Sequence, residues 1–127
     1  MKPLDLASTF VVLQPDQSAA PVPVTPTIWQ ELDRDFEGFS GRVLVSCFSF
    51  DSDWDTWEMH PAGDEIVCLL SGRASFEFEG RGHVAELSVP GSYVIVPKGT
   101  WHTAHTSVPT KMLFITPGEG TQNKAVA

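Results

Sequence analysis

Two short blocks of the sequence carry side chains of the types that bind a divalent metal ion. The first block contains Glu58, His60 and Glu65, and the second ends at His102. Imidazole nitrogens and carboxylate oxygens form a mixed ligand set that suits Fe(II), Mn(II), Ni(II) or Zn(II), whereas structural zinc sites rely mainly on thiolates. The residue types therefore predict one metal site formed by His60, Glu65 and His102, with Glu58 as a possible fourth ligand.

The elements that must position these four side chains are short strands. Side chains two residues apart on a strand point the same way, so Glu58 and His60 share a face. A turn over residues 61–64 lets Glu65 return beside them at the start of the next strand, and His102 joins from another strand. A site carried by strands inside a barrel leaves coordination positions open toward the mouth, as ligand binding or catalysis requires.

Short runs of β-branched and aromatic residues alternate with turn signals along most of the chain. Pro and Gly each occur 10 times, and the second half lacks convincing helical periodicity. Many short strands with Gly and Pro corners predict an all-β sandwich or barrel. The predicted strands are Val43–Phe50, Thr56–His60, Ile66–Leu70, Ala74–Glu79, His83–Ser88, Tyr93–Pro97 and Lys111–Thr116.

The first third of the chain has a different pattern. The apolar run Phe10–Leu13 predicts a strand, and three prolines within Ser18–Pro26 confine that segment to extended, edge or loop positions. Apolar residues at helical spacing predict a short helix over Thr27–Phe36. We therefore expect an N-terminal arm over residues 1–40, a barrel over 41–118, and a polar, frayed tail over 119–127.

Composition restricts the classes of partner. Of the 127 residues, 8 are Lys or Arg and 16 are Asp or Glu, so the formal net charge is −8. That balance argues against nucleic acid and anionic membranes, which need clustered positive charge. Cys47 and Cys68 form no C-x-x-C pair, and both lie in apolar runs where a free thiol behaves as a small apolar side chain. With neither a signal peptide nor a membrane-spanning run expected, the prediction is a reduced, cytoplasmic protein.

The two blocks resemble the motifs of the cupin superfamily. Its first motif, G-x5-H-x-H-x(3,4)-E-x6-G, is matched at His60, Glu65 and Gly72. Its second motif, G-x5-P-x-G-x2-H-x3-N, is matched at four positions, which are Gly91, Pro97, Gly99 and His102. The resemblance spans residues 52–106 and implies a double-stranded β-helix, or jelly-roll, barrel that holds a divalent metal ion.

Three positions depart from these motifs. Ser52 replaces a glycine and Thr106 replaces an asparagine, both outside the usual ligands of the family. Glu58 replaces the first ligand histidine. Two roles are open to Glu58. In the first it coordinates the metal, in which case two carboxylate ligands would lower the Lewis acidity of the ion. In the second it acts as a catalytic acid/base or contacts the ligands without binding the metal.

The resemblance leaves several function classes open. The first is a metal-dependent enzyme of dioxygenase, isomerase or lyase type that acts on a small organic molecule, with Glu58 as its base. The second is a non-catalytic sensor of a small molecule or metal, and the third is a barrel that has lost its metal. The resemblance also implies a homodimer, with the run Phe10–Leu13 available for pairing. His105 and His83 are predicted to lie on the surface, away from the ligands.

Overall fold

A computed structural model describes residues 1–126, which form eleven strands, one α-helix and one short 3₁₀ turn at Glu37–Phe39. The helix α1 spans Ile28–Asp35. The strands are β1 (Thr9–Leu13), β2 (Ala19–Pro23), β3 (Val43–Phe50), β4 (Thr56–Met59), β5 (Glu65–Ser71), β6 (Ala74–Phe78), β7 (Gly82–Leu87), β8 (Tyr93–Val96), β9 (His102–His105), β10 (Thr110–Thr116) and β11 (Gln122–Ala125).

The strands form two antiparallel sheets, which confirms the predicted all-β jelly roll. One sheet has six strands in the order β2-β1-β3-β10-β5-β8, and the other has five in the order β11-β4-β9-β6-β7. Alternation along β5, β6 and β10 sends every second side chain into a shared apolar core. The main core cluster consists of Val67, Leu69, Ala74, Phe76, Leu87, Ala104, Met112 and Phe114.

The predicted arm supplies two strands of the six-stranded sheet. β1 pairs with both β2 and β3, and a second apolar cluster joins β1, α1 and β3. Phe10 and Val12 are 1% and 0% exposed, so the run Phe10–Leu13 is covered within its own chain. Because β1 lies between β2 and β3, this run is not a sheet edge that is available for pairing with a second chain. The edge strand on this side of the sheet is β2, where Pro21 and Pro23 lack the N–H groups that would pair with another strand.

Three observed strands have no counterpart among the predicted strands: β2, which was expected only as an extended, edge or loop segment, and the two polar strands β9 and β11. β9 was not assigned although it carries His102, and β11 lies in the tail that was expected to fray. β11 pairs with β4 from Gln122 opposite Met59 to Ala125 opposite Thr56, so this part of the tail is ordered. Both β9 and β11 are polar and lack an alternating apolar pattern, so they are stabilised mainly by backbone hydrogen bonds to neighbouring strands. Neither helical segment within residues 1–126 is long and apolar enough to cross a bilayer.

Candidate metal site and its cavity

The four predicted ligands lie side by side in the folded chain. Glu58 in β4 is directly opposite His102 in β9, while His60 follows β4 and Glu65 begins β5. His60 Nε2 lies 3.3 Å from Glu65 Oε2 and 3.8 Å from Glu58 Oε1, and His102 Nε2 lies 3.1 Å from Glu65 Oε1. The fold thus brings together every side chain that the sequence assigned to the site, and their role as ligands stays a prediction.

Hydrogen bonds behind the two imidazole rings determine which nitrogen faces the site. His60 Nδ1 donates to Thr121 Oγ1 at 2.9 Å, because the Thr121 hydroxyl donates its own hydrogen to the Gly118 carbonyl at 2.9 Å. His102 Nδ1 donates to the Thr100 carbonyl at 3.1 Å. In the neutral rings each Nε2 therefore carries a lone pair toward the site, which is the form of histidine that binds metals.

Three of the atoms that face the site are buried without a hydrogen-bond partner. They are His60 Nε2, Glu65 Oε1 and His102 Nε2. Glu65 lies 3.1 and 3.3 Å from these two nitrogens, but neutral rings that carry their hydrogen on Nδ1 offer this carboxylate no N–H group. Since buried polar atoms are almost always paired, three orphaned atoms facing one another call for a shared partner. Two imidazole nitrogens and a carboxylate oxygen are a donor set that fits a divalent cation.

The charges of Glu65 and His102 depend on each other. Glu65 is 2% exposed, and its Oε2 accepts a 2.6 Å hydrogen bond from Thr116 Oγ1. Burial by itself would raise the pKa of Glu65, but the contacts with His102 and His60 outweigh it and lower the pKa to about 2. Burial lowers the pKa of His102, because it disfavours the charged ring. The Glu65 carboxylate raises this pKa, and the net shift of the His102 pKa is upward. A proton and a metal ion therefore compete for His102 Nε2.

Glu58 is less enclosed than the other three side chains. It is 32% exposed, and its pKa is raised by burial and then by the neighbouring Glu65 carboxylate. One ligand atom from each of Glu58, His60 and His102 lies within 4.8 Å of the other two, so Glu58 can reach a metal held by the histidines. A carboxyl group with a raised pKa beside a cavity also suits proton transfer. The geometry is compatible with both predicted roles of Glu58.

A cavity of about 710 Å³ opens onto the site, with Glu58, His60 and Glu65 in its wall. His102 is fully buried behind them. This volume is in the range that holds a small organic molecule. Among the aromatic residues near the site in sequence, Phe48, Phe50 and Trp54 line the cavity, whereas Trp57 and Trp101 do not. The remaining large apolar residues of the wall are Trp29, Leu32, Phe39, Leu44 and Phe114.

Comparisons with known proteins agree with this architecture. No protein-family model matches the sequence, and no curated protein matches it. Among solved structures, a cupin superfamily protein from Desulfitobacterium hafniense DCB-2 is 31% identical and superimposes with a TM-score of 0.51. The alignment covers 61% of this chain and 68% of that protein. The chain belongs to the cupin superfamily.

Other cupins share the fold at lower identity. A cupin-2 domain protein from Shewanella frigidimarina is 20% identical with a TM-score of 0.52, over 59% of this chain and 70% of that one. An oxalate oxidase is 16% identical with a TM-score of 0.51, over 62% of this chain and 44% of that one. Identities this low show a common fold and leave the reaction of this cupin open.

Two positions of the cupin motifs have clear structural roles in this chain. At Gly72 the backbone has φ +81°, and a Cβ there would lie 2.3 Å from the Pro109 carbonyl oxygen, so no other residue fits without a shift. Thr106, which replaces the family's asparagine, donates to the Arg73 carbonyl at 2.7 Å. It therefore still ties together two turns, and the departure leaves the metal ligands untouched.

Sequence reasoning missed the threonines that orient the ligands. Thr116 and Thr121 lie 51 and 61 residues from the side chains that they contact, Glu65 and His60, so no local spacing reveals them. One signal was present: Thr116 follows Met112 and Phe114 on the inward face of β10, where an apolar residue is expected. A polar residue at such a position indicates a buried partner.

The other two histidines lie on the outer face of the five-stranded sheet. His105 Nδ1 lies 2.9 Å from Asp53 Oδ2, and its Nε2 lies 2.9 Å from Glu77 Oε1. Glu77, His83 and His105 also approach one another closely enough to hold an ion. Both ring nitrogens of His105 are already occupied by carboxylates, however, and Glu77, His83 and His105 do not line the cavity described above. The candidate site therefore remains the predicted set of Glu58, His60, Glu65 and His102.

Proposed function

We propose that this cupin binds one divalent metal ion through His60, Glu65 and His102 and acts as a metal-dependent enzyme on a small organic molecule. The observation that carries the proposal is the set of three orphaned buried atoms beside the cavity. Two histidines and one carboxylate that leave coordination positions open are typical of Fe(II) oxygenases, and Mn(II), Ni(II) and Zn(II) also accept such ligands. When bound, the metal would supply Lewis acidity or a site for oxygen.

The chain's own groups would support the reaction in three ways. Thr116 and Thr121 hold Glu65 and His60 in place, the aromatic wall orients the substrate and limits water, and Glu58 holds a proton beside the cavity. Because the pKa of Glu58 is raised, its carboxyl group binds a proton more readily than an exposed carboxyl group does and can exchange that proton with a molecule in the cavity. The reaction classes that use such a group are dioxygenases, isomerases and lyases.

Metal content tests the site. Purified protein is stripped, reloaded with Fe(II), Mn(II), Ni(II) or Zn(II), and analysed for bound metal after gel filtration. We expect one tightly bound ion, which His60→Ala and His102→Ala should remove while the fold persists by circular dichroism. His83→Ala is the matched control, because it removes an exposed histidine of the outer group. Metal content that is unchanged in both His60→Ala and His102→Ala would refute the site.

Glu58→Gln separates the two roles of Glu58. The amide keeps the shape but removes the charge and the basicity. If Glu58 is a ligand, affinity measured by competition with a chelator should fall; if it is the base, affinity should persist and turnover should stop. Oxygen uptake with catechols and β-diketones detects a dioxygenase, and exchange of substrate protons with deuterated water detects an isomerase or lyase. Metal binding with neither signal would favour the alternative, a non-catalytic sensor of a small molecule or metal.

A further inference from the structure

The charged groups of the cavity wall are acidic. Asp33 and Asp55 are exposed at its mouth, and Glu58 and Glu65 lie at its inner end beside His60. The eight Lys and Arg side chains of the chain, all within residues 1–126, lie outside this wall. Asp33 and Asp55 are not among the proposed ligands, so their negative charges stay at the mouth in the metal-loaded protein as well.

Aromatic rings continue from the mouth to the metal site. Trp29 and Phe48 stack at the mouth, with ring centroids 6.3 Å apart and planes at 24°, and they are 58% and 38% exposed. Phe48 contacts Phe114 at 5.7 Å, Phe114 contacts Trp54 at 6.0 Å, and Trp54 lies 6.2 Å from the ring of His102. Exposed aromatic faces beside carboxylates attract flat rings and cations.

We infer that the cavity takes an aromatic molecule that is uncharged or carries a single positive charge, and that it discriminates against aromatic carboxylates. This inference rests on the proposed function, because two neighbouring oxygens on the aromatic ring would coordinate the metal. A carboxylate on the ligand would face Asp33 and Asp55 without a cation to pair with it, and like charges disfavour binding. An ammonium group at the same place would be attracted both by these carboxylates and by the aromatic faces of Trp29 and Phe48.

Three catechols that differ at one substituent test the inference. Dopamine carries an ammonium group, 4-methylcatechol is uncharged, and 3,4-dihydroxyphenylacetate carries a carboxylate on a similar ring. Binding is measured by isothermal titration calorimetry without oxygen, on both Zn(II)-loaded and metal-free protein. We expect dopamine to bind at least about tenfold more tightly than the acid, with 4-methylcatechol between them, and the ratio to shrink as salt is raised. Equal or tighter binding of the acid would overturn the inference.

A pair of charge variants ties the preference to the cavity. Asp55→Asn removes a carboxylate from the mouth, whereas Asp51→Asn makes the same change at an exposed position outside this wall. We expect Asp55→Asn to lower the preference for dopamine over the acid at least about twofold, and Asp51→Asn to leave it unchanged. A preference that neither variant alters would also overturn the inference, since the charge selectivity would then arise elsewhere.

The metal-free arm distinguishes failure of this inference from failure of the proposed function. If the chain binds no metal, the same order of affinities in metal-free protein still supports an acidic, aromatic cavity. If the metal binds with one-to-one stoichiometry but the acid is not disfavoured, the inference fails and the metal site stands. If none of the three catechols binds either form at millimolar concentration, the assigned ligand class is wrong.

Discussion

Replacing Thr116 by valine should weaken metal binding without altering any proposed ligand. The Thr116 hydroxyl donates a 2.6 Å hydrogen bond to Glu65 Oε2, and both residues are buried. Valine has nearly the same shape but leaves this carboxylate oxygen without its donor. Loss of a group that orients a metal ligand typically lowers metal affinity about 10- to 100-fold. We expect Thr116→Val to fall in that range.

A matched control lies on the same strand and the same face. Thr110 is also buried, and its hydroxyl contacts the Arg73 and Val108 carbonyls at 3.0 and 2.9 Å. A hydrogen bond to a charged group contributes about 1.5–3 kcal/mol, and a bond between neutral groups about 0.5–1.5 kcal/mol. Both variants should therefore lower the free energy of unfolding in urea, Thr116→Val by about 1 kcal/mol more.

The decisive measurement is metal affinity by competition with a chromophoric chelator. Thr110→Val should bind metal as the wild type does, because its hydroxyl contacts no ligand. Thr116→Val should lose affinity even when both variants are fully folded. If Thr116→Val is less stable but binds metal with unchanged affinity, Glu65 is not a ligand and the assignment of the site must change.

Three further predictions address the turns, the outer face and the sheet edge. Gly72→Ala should lower the free energy of unfolding in urea by about 1–3 kcal/mol more than Gly80→Ala does. Both glycines have φ +81°, but only at Gly72 would a Cβ meet backbone atoms, so equal losses in the two variants would contradict this reasoning. The pKa of His105 is raised mainly by Asp53, so its contribution to stability is full below about pH 6.5 and is lost as pH rises through the raised value. His105→Gln should therefore cost more stability at about pH 6 than at about pH 9, by at most about 1 kcal/mol, and a pH-independent loss would refute it. The predicted homodimer should form at β8, an edge strand where Ile95 is 51% exposed, so Ile95→Lys should shift sedimentation toward monomer; a monomeric wild type would refute the dimer.

The barrel strands with apolar, β-branched runs were predictable, and the polar ones were not. Val43–Phe50 was predicted as β3 to the residue, because its run of β-branched, apolar and aromatic side chains favours a strand. β9 has no apolar alternation, and its strand conformation follows from pairing with β4 on one side and β6 on the other. β11 is exposed along its length and is held by β4 and by the ion pair of Lys124 with Glu79 at 2.7 Å. The residues next to β9 and β11 in sequence do not include the strands that pair with them.

The predicted ligands came together for a similar physical reason. Their spacing within each block is local, so Glu58 and His60 fall on one strand face and Glu65 follows after a turn. The cavity was less predictable, because its wall combines Trp29 of α1 with residues of β3, β4 and β10. Only the long-range packing of the first third of the chain onto the barrel determines that acidic and aromatic side chains meet there.

The central place of β10 has a consequence for how the chain folds. β10 lies between β3 and β5, although it follows them by more than 35 residues in sequence. Such distant pairings make folding slow, because a long loop must close before they stabilise anything. During synthesis, β3 and β5 are made before β10, so the edge of each strand that pairs with β10 stays unpaired until β10 has been synthesised. We therefore expect nascent chains that end before Thr110 to aggregate, and Glu65 to become a competent ligand only after this late strand has entered the sheet.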